Sequence, residues 1–361
     1  MSQAVAQPPA RPAHWIVSGG YDTLFFTGSL AFPMLLWAAF AHGVLTGVGV
    51  YVAFQLLFNM PHNVQTWTMS VFDAEDRARE GRRYLVALLV IVGLIGGAML
   101  LSPQGVYPWI RDALVYWGYY HLVRQHYGFQ RLYERKMAVV GAPPSTRESF
   151  AYGRYLDIVS YAPLLLRFRD PELMTIRAAG RGVWIRHPVL PDLAAKLVLF
   201  VYLACIAAAV AHHVAAAARG RKALLPRAML LLSVTACFGL AGLFATDIVV
   251  AIALVTAFHN VQYLGLVLFH NRTRADLEER EGVRTGQNLP VDWIRAGRVL
   301  PYALMTFGYG LLLLAPRATF RSVLLAELPL TAMVALHYYV DSRIWRFQSY
   351  PKLARYLKLR P

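Results

Sequence analysis

Apolar residues run along this chain in long blocks separated by short polar segments. A helix needs about 20 such residues to cross hydrocarbon. Ten blocks approach that length: 22–42, 47–72, 84–102, 107–133, 149–167, 194–217, 226–245, 247–271, 297–316 and 321–345. The pattern predicts an all-α, polytopic integral membrane helix bundle of about ten spans. The fifth block is the weakest, because Arg154 and Asp157 interrupt it, and it reads equally as an interfacial helix. Pro61 lies inside the second block and predicts a kink there.

The blocks divide the chain into a polar, Pro/Ala-rich arm (1–20) expected to be disordered, a membrane domain (21–345) and a basic cytoplasmic tail (346–361). The arm has no apolar core of the kind a signal peptide carries.

Composition narrows the class. Of 361 residues, 57% are hydrophobic and 16% charged; soluble domains carry about 25% charged residues. Mean hydropathy is +0.42. The net charge is +16, from 36 Lys and Arg against 20 Asp and Glu. These basic residues sit between apolar blocks, so they read as loops facing an anionic leaflet rather than as a nucleic-acid surface. With the N-terminus inside, cytoplasmic segments hold 26 of the 36 positive residues and the opposite side 9. Both ends are therefore expected inside, in what reads as a bacterial inner membrane protein. Segment 167–196 is long and basic for an outer loop and fits this poorly. Cys205 and Cys237 both lie in apolar blocks, which excludes a disulfide framework, a redox pair and a Cys-rich zinc site.

An internal repeat carries the most information. The second block contains His62-Asn63-Val64-Gln65 and the eighth His259-Asn260-Val261-Gln262. Eleven residues after each histidine stand Asp73 and His270, on the same helix face three turns on. The fourth block carries His121, Arg124, Gln125 and His126, and the tenth His337 and Asp341. The matches recur in order. They suggest two four-helix units, 21–133 and 226–345, around an insert, 134–225. Equivalent helices are six apart, so the units would run parallel, related by a pseudo-two-fold along the membrane normal.

All these polar residues fall in the cytoplasmic halves of even-numbered blocks, in one depth band. Ionisable residues there need a partner or a purpose. A single membrane histidine also serves as a helix–helix hydrogen-bond partner; the set points to metal. Neutral imidazole is the commonest metal ligand. His62, His121, His126, His259, His270, His337 and Asp341 are the candidate ligands, for one or two ions. Histidine and carboxylate suit iron, with zinc or manganese as alternatives, better than copper(I). His337 and Asp341 are i,i+4 and can share an ion. His121 and His126 are about 140° apart on a helix and need a π-bulge to do so. Asn63, Gln65, Asn260 and Gln262 are expected to orient the ligands. Arg124 is the catalytic candidate, facing either a carboxylate or an anionic substrate headgroup. Asp73 reads as a solvated helix end.

One HxxxxH (His121–His126) and no HxxHH separate the chain from fatty-acid desaturases and hydroxylases. The scattered membrane histidines, with the HNVQ and HxxxD elements, resemble the bacterial Brp/Blh-type carotene oxygenases, polytopic proteins whose iron is held by histidines. The resemblance covers the general pattern. It implies oxygen-dependent cleavage of a carotenoid, with His62, His121, His259 and His337 as ligands.

The expectation is thus a membrane-embedded, non-haem iron oxidoreductase of the oxygenase, hydroxylase or desaturase type. Its substrate would be a lipid or isoprenoid reaching the site from the bilayer. No soluble redox domain is legible, so external electrons would come from a donor protein. Two other classes fit the same residues: a bis-His haem electron carrier and a transporter built on two parallel repeats.

Overall fold

The computed structural model describes residues 14–176, 183–221, 224–283, 287–319, 323–348, 350 and 352–359. Residues 1–13 of the expected arm and 321–322 of the tenth block lie outside the described residues.

The fold is all-α, and each apolar block falls on a continuous helical stretch. The first combines α1 (Gly19–Asp22), a π-helical turn (Thr23–Thr27), a 3-10 turn (Gly28–Leu30) and α2 (Ala31–Ala41). The second runs through α3 (Gly47–Phe54), a π-helical turn (Gln55–Asn59) and α4 (Met60–Met69). Then follow α5 (Ala74–Leu101), α6 (Tyr107–Val139), α7 (Thr146–Arg167), α8 (Asp192–Ala218) and α9 (Leu225–Gly239), the last continued by a π-helical turn (Leu240–Phe244). The chain ends in α10 (Ile248–Arg280), α11 (Leu289–Arg295), α12 (Val299–Thr319), α13 (Val323–Ile344) and α14 (Leu353–Tyr356). Among the described residues, the strands are β1 (Thr175–Ile176) and β2 (Val183–Trp184), paired antiparallel.

Among the described residues, five stretches are long and apolar enough to cross a membrane: Gly19–Ala41, Ala74–Leu101, Asp192–Ala218, Leu225–Phe244 and Ile248–Arg280. α8 exposes Leu193, Leu197, Phe200 and Val214, as a helix surrounded by lipid does. Ile248–Arg280, which carries His259 and His270, is by contrast packed inside the bundle.

Local chemistry sets the helix ends. Asp73 caps α5, its carboxylate accepting from the Glu75 and Asp76 amides at 2.9 and 3.0 Å. Ser145 caps α7 through the Glu148 amide, and Asp247 caps α10 through that of Val249. Such caps satisfy amides that a helix start leaves without partners. The π-helical turn 55–59 stands directly before Pro61, where proline removes a backbone donor.

α10 is the axis of the bundle. Its 33 residues span about 50 Å, well beyond the hydrocarbon thickness of about 30 Å. Its middle is buried on almost every side. It packs against α2, α3, α4, α6, α9 and α11. Close approach needs small residues: a Cβ at Gly242, after α9, would stand 2.3 Å from Pro163 Cβ in α7.

The polar ends are more ordered than the sequence suggests. Residues 16–18, expected in the disordered arm, are held by Asp22, whose carboxylate accepts from three consecutive amides and from Tyr133. The basic tail folds back onto the bundle. Leu353, Tyr356 and Leu357 are buried, Lys352 pairs with Glu75 at 2.6 Å, and Lys136 donates to the Lys358 carbonyl. Asp73, expected to be solvated, is 1% exposed and pairs with Arg274, which also holds Glu278 at 2.7 Å. In the basic segment after α7, Arg167 is buried and donates to the carbonyls of Leu173, Ala241 and Ala245. Arg186 pairs with Asp112 at 2.9 Å. These two positive charges serve internal packing.

Candidate metal centre

Four helices each bring one histidine to the middle of the bundle: His62 from α4, His121 from α6, His259 from α10 and His337 from α13. All four are buried. Their rings form a closed circuit. Centroids are 4.4 Å apart for His62 and His337, 5.2 Å for His337 and His121, 5.9 Å for His121 and His259, and 4.9 Å for His259 and His62. Imidazoles bonding one ion at about 2.1 Å place neighbouring centroids about 4.5–5.3 Å apart; His62, His337 and His121 stand near that spacing, and His259 is further from His121. Nε2 of His62 lies 2.8 Å from Nε2 of His337, close to the separation of about 3.0 Å for adjacent ligands on an octahedral ion.

Asp341 joins from one turn below His337. Its Oδ2 is 3.7 Å from His121 Nε2 and 3.8 Å from His337 Nε2. One ligand atom each from His62, His121, His337 and Asp341 fall within 4.8 Å of one another. This buried cluster of three histidines and an aspartate can hold a metal ion.

The unsatisfied groups fit that reading. Neither ring nitrogen of His259 has a hydrogen-bond partner, and His62 Nδ1 has none. Buried polar atoms without partners cost about 1–3 kcal/mol each, and a coordinated cation satisfies an imidazole nitrogen directly.

A second polar layer lies beneath the rings. Each histidine is followed four residues later by a polar side chain: Thr66, Gln125, Tyr263 and Asp341. These four meet at the aspartate. Thr66 and Tyr263 donate to Asp341 Oδ1 at 2.8 and 2.7 Å, and Gln125 donates to Oδ2. Thr66 Oγ1 is also 2.8 Å from His337 Nδ1. A Nδ1–H donated to that hydroxyl leaves Nε2 with the lone pair, the form that binds metal. The residues one turn on can converge only if the four helices run in one direction.

The other expected residues are placed differently. His126 lies beside the circuit: α6 is regular over its length, so its ring diverges from that of His121 and stacks on Phe258, with Nδ1 2.8 Å from the Leu122 carbonyl, and flanks His259 at 5.9 Å between centroids. The π-helical turns are elsewhere. His270 is three turns beyond His259, where its Nδ1 meets Asn271 and its ring faces Tyr356. Asn63 and Gln65 do not touch the histidines; Asn63 binds the Asn59 carbonyl and Gln65 binds Thr306 and Tyr302, while Gln262 donates to the Phe26 carbonyl and also contacts His126. Thr66, Gln125 and Tyr263 take the orienting role instead. Their signal was the four-residue spacing after each histidine. Arg124 is exposed, with its guanidinium 4.5 Å from the Tyr127 ring.

Two cavities meet at the cluster and share His121 and Tyr338. One, of about 290 Å³, includes His62, His259 and His337 in its wall and extends along Leu114, Phe238 and Ile252. The other, of about 750 Å³, starts at Asp341 and leads to Arg131 and Arg135 near the far end of α6. No protein-family model matches the chain, and no curated protein or solved structure matches it.

Proposed function

We propose that the protein is a membrane-embedded, non-haem iron oxidoreductase of the oxygenase, hydroxylase or desaturase type, acting on a lipid or isoprenoid. The observation that carries this reading is the circuit of four buried imidazoles beside Asp341, with both nitrogens of His259 unsatisfied, at the junction of two cavities. Iron bound there would supply the activation of oxygen. The protein supplies the rest. His62, His121, His259 and His337 would hold the ion, with Asp341 beside them. Thr66 fixes the tautomer of His337. The narrower cavity, mostly apolar in its wall, excludes water and orients a hydrocarbon chain. Carotenoids, the substrates implied by the Brp/Blh resemblance, belong to this class. A desaturase or hydroxylase reaction would draw electrons from a donor protein.

The same reading includes ten spans, in two parallel four-helix units, with both termini cytoplasmic in a bacterial inner membrane. Supporting it, every apolar block is helical, the matched histidines pair across the circuit, and their four helices share a direction. Arg167 and Arg186, buried or paired within the fold, count little as free positive charge on the outer side.

Metal content and the optical spectrum of protein purified in mild detergent test the proposal. About one equivalent of iron without a Soret band supports it. A Soret band would point to a haem carrier, although 2.8 Å between His62 and His337 leaves no space for a porphyrin between them. A folded protein that binds no metal would leave the transporter.

A further inference from the structure

The larger cavity has a chemistry of its own. Arg124, Arg131 and Arg135 line it from α6, and Arg346 from the turn after α13. Arg131 pairs with Glu134 at 2.5 Å, a carboxylate that Arg227 also holds at 2.7 Å. Among the described residues, Arg124, Arg135 and Arg346 have no carboxylate partner. Arg124 and Arg135 lie instead against aromatic rings, Tyr127 at 4.5 Å and Phe347 at 3.7 Å. Trp117, Tyr338 and Trp345 complete the wall, and Asp341 and His121 lie at its inner end.

Arginines at the cytoplasmic ends of helices normally face the lipid surface. Here they line a cavity that reaches the histidines. Unpaired guanidiniums held by ring stacking are suited to bidentate bonds with phosphate oxygens. Along α6, Arg135 is 14 residues from His121, or about 21 Å, and Arg124 about 5 Å. An extended lipid chain spans that interval, with its head among the arginines and a carbon at the histidines.

We propose that this cavity binds the phosphate or diphosphate head of a long-chain lipid. The proposal rests on the function proposed above and narrows its substrate to an anionic amphiphile. Three positive groups match a head of two or three negative charges better than a carboxylate. The aromatic wall takes the first part of the chain.

The test is binding to detergent-purified protein of three probes: a C20 isoprenyl diphosphate, the matching alcohol and inorganic diphosphate. Tryptophan fluorescence reports on it, because Trp117 and Trp345 line the cavity. The lipid diphosphate should bind at least about tenfold tighter than either other probe, given what charged hydrogen bonds contribute. The double variant Arg124→Gln, Arg135→Gln should lose that advantage and leave alcohol binding and metal content unchanged. Arg346→Gln alone should weaken binding less and serves as the second variant if the double one misfolds. Equal binding of alcohol and diphosphate overturns the proposal, as does inorganic diphosphate binding as tightly as the lipid. Metal content is read on the same samples, so failure here is distinct from failure of the metal centre.

Discussion

His62 and His259, the histidines of the two His-Asn-Val-Gln segments, meet edge to face with ring centroids 4.9 Å apart. Their helices belong to opposite halves of the chain. His121 and His337, the second matched pair, close the same circuit at 5.2 Å. The likeness between the halves is therefore expressed at the point where they touch.

Removing a member of the circuit should remove the metal. His62→Ala and His337→Ala are expected to lose most bound metal by elemental analysis, a larger effect than the roughly 10–100-fold typical of an orienting partner. His270→Ala should keep wild-type metal content, because that ring packs against Tyr356 away from the circuit. Equal loss in all three variants would reject this assignment.

Thr66 is expected to act on metal affinity without being a ligand. Thr66→Val keeps the shape but deletes the hydroxyl between His337 Nδ1 and Asp341 Oδ1. Competition with a chelator should show affinity falling about 10–100-fold. Thr66→Ser, which retains the hydroxyl, should recover most of it.

The pair Arg274–Asp73 joins the end of α10 to the start of α5 and is nearly fully buried, at 4% and 1% side-chain exposure. Arg274→Met leaves a buried carboxylate without its ion partner and should cost about 3–5 kcal/mol. Asp73→Asn added to it should restore part of the loss. Thermal unfolding in detergent measures both.

Gly242→Ala should destabilise by about 1–3 kcal/mol or more, because the new methyl meets Pro163 backbone atoms at 2.8 and 2.9 Å, which cannot move independently of α7. Gly239→Ala is the comparison. Its methyl meets only the Tyr202 hydroxyl, the far end of a side chain that can turn away. A smaller drop in unfolding temperature for Gly239→Ala is the expected result.

Apolar block length was enough to place the ten long helical stretches, because the membrane demands long runs and leaves few alternatives; the short α11 and α14 lie outside the blocks and carry no such signal. His62, His121, His259 and His337 were also legible, through repetition. Two parts of the centre were not. Of the residues at i+4, Asp341 was legible as a ligand, but Thr66, Gln125 and Tyr263 differ in type, so no repeated letter marks them; only their shared position on one helix face does. His270 and His126 looked equivalent to the others in type but not in geometry. Three turns separate His270 from His259, and five residues on an unbroken helix turn His126 away from His121. Asp73 was misread because its partner, Arg274, is 201 residues away, beyond what a local charge pattern can reveal.

The 2.8 Å contact between His62 and His337 joins residues 275 positions apart. Closing so long a loop has an entropic cost that only the completed packing of α4, α6, α10 and α13 offsets. A partly assembled bundle presents scattered single imidazoles, each a weak ligand. Metal loading should therefore be the last event in maturation, coupled to the docking of α13, and an ion once bound would lock the first and last quarters of the protein together.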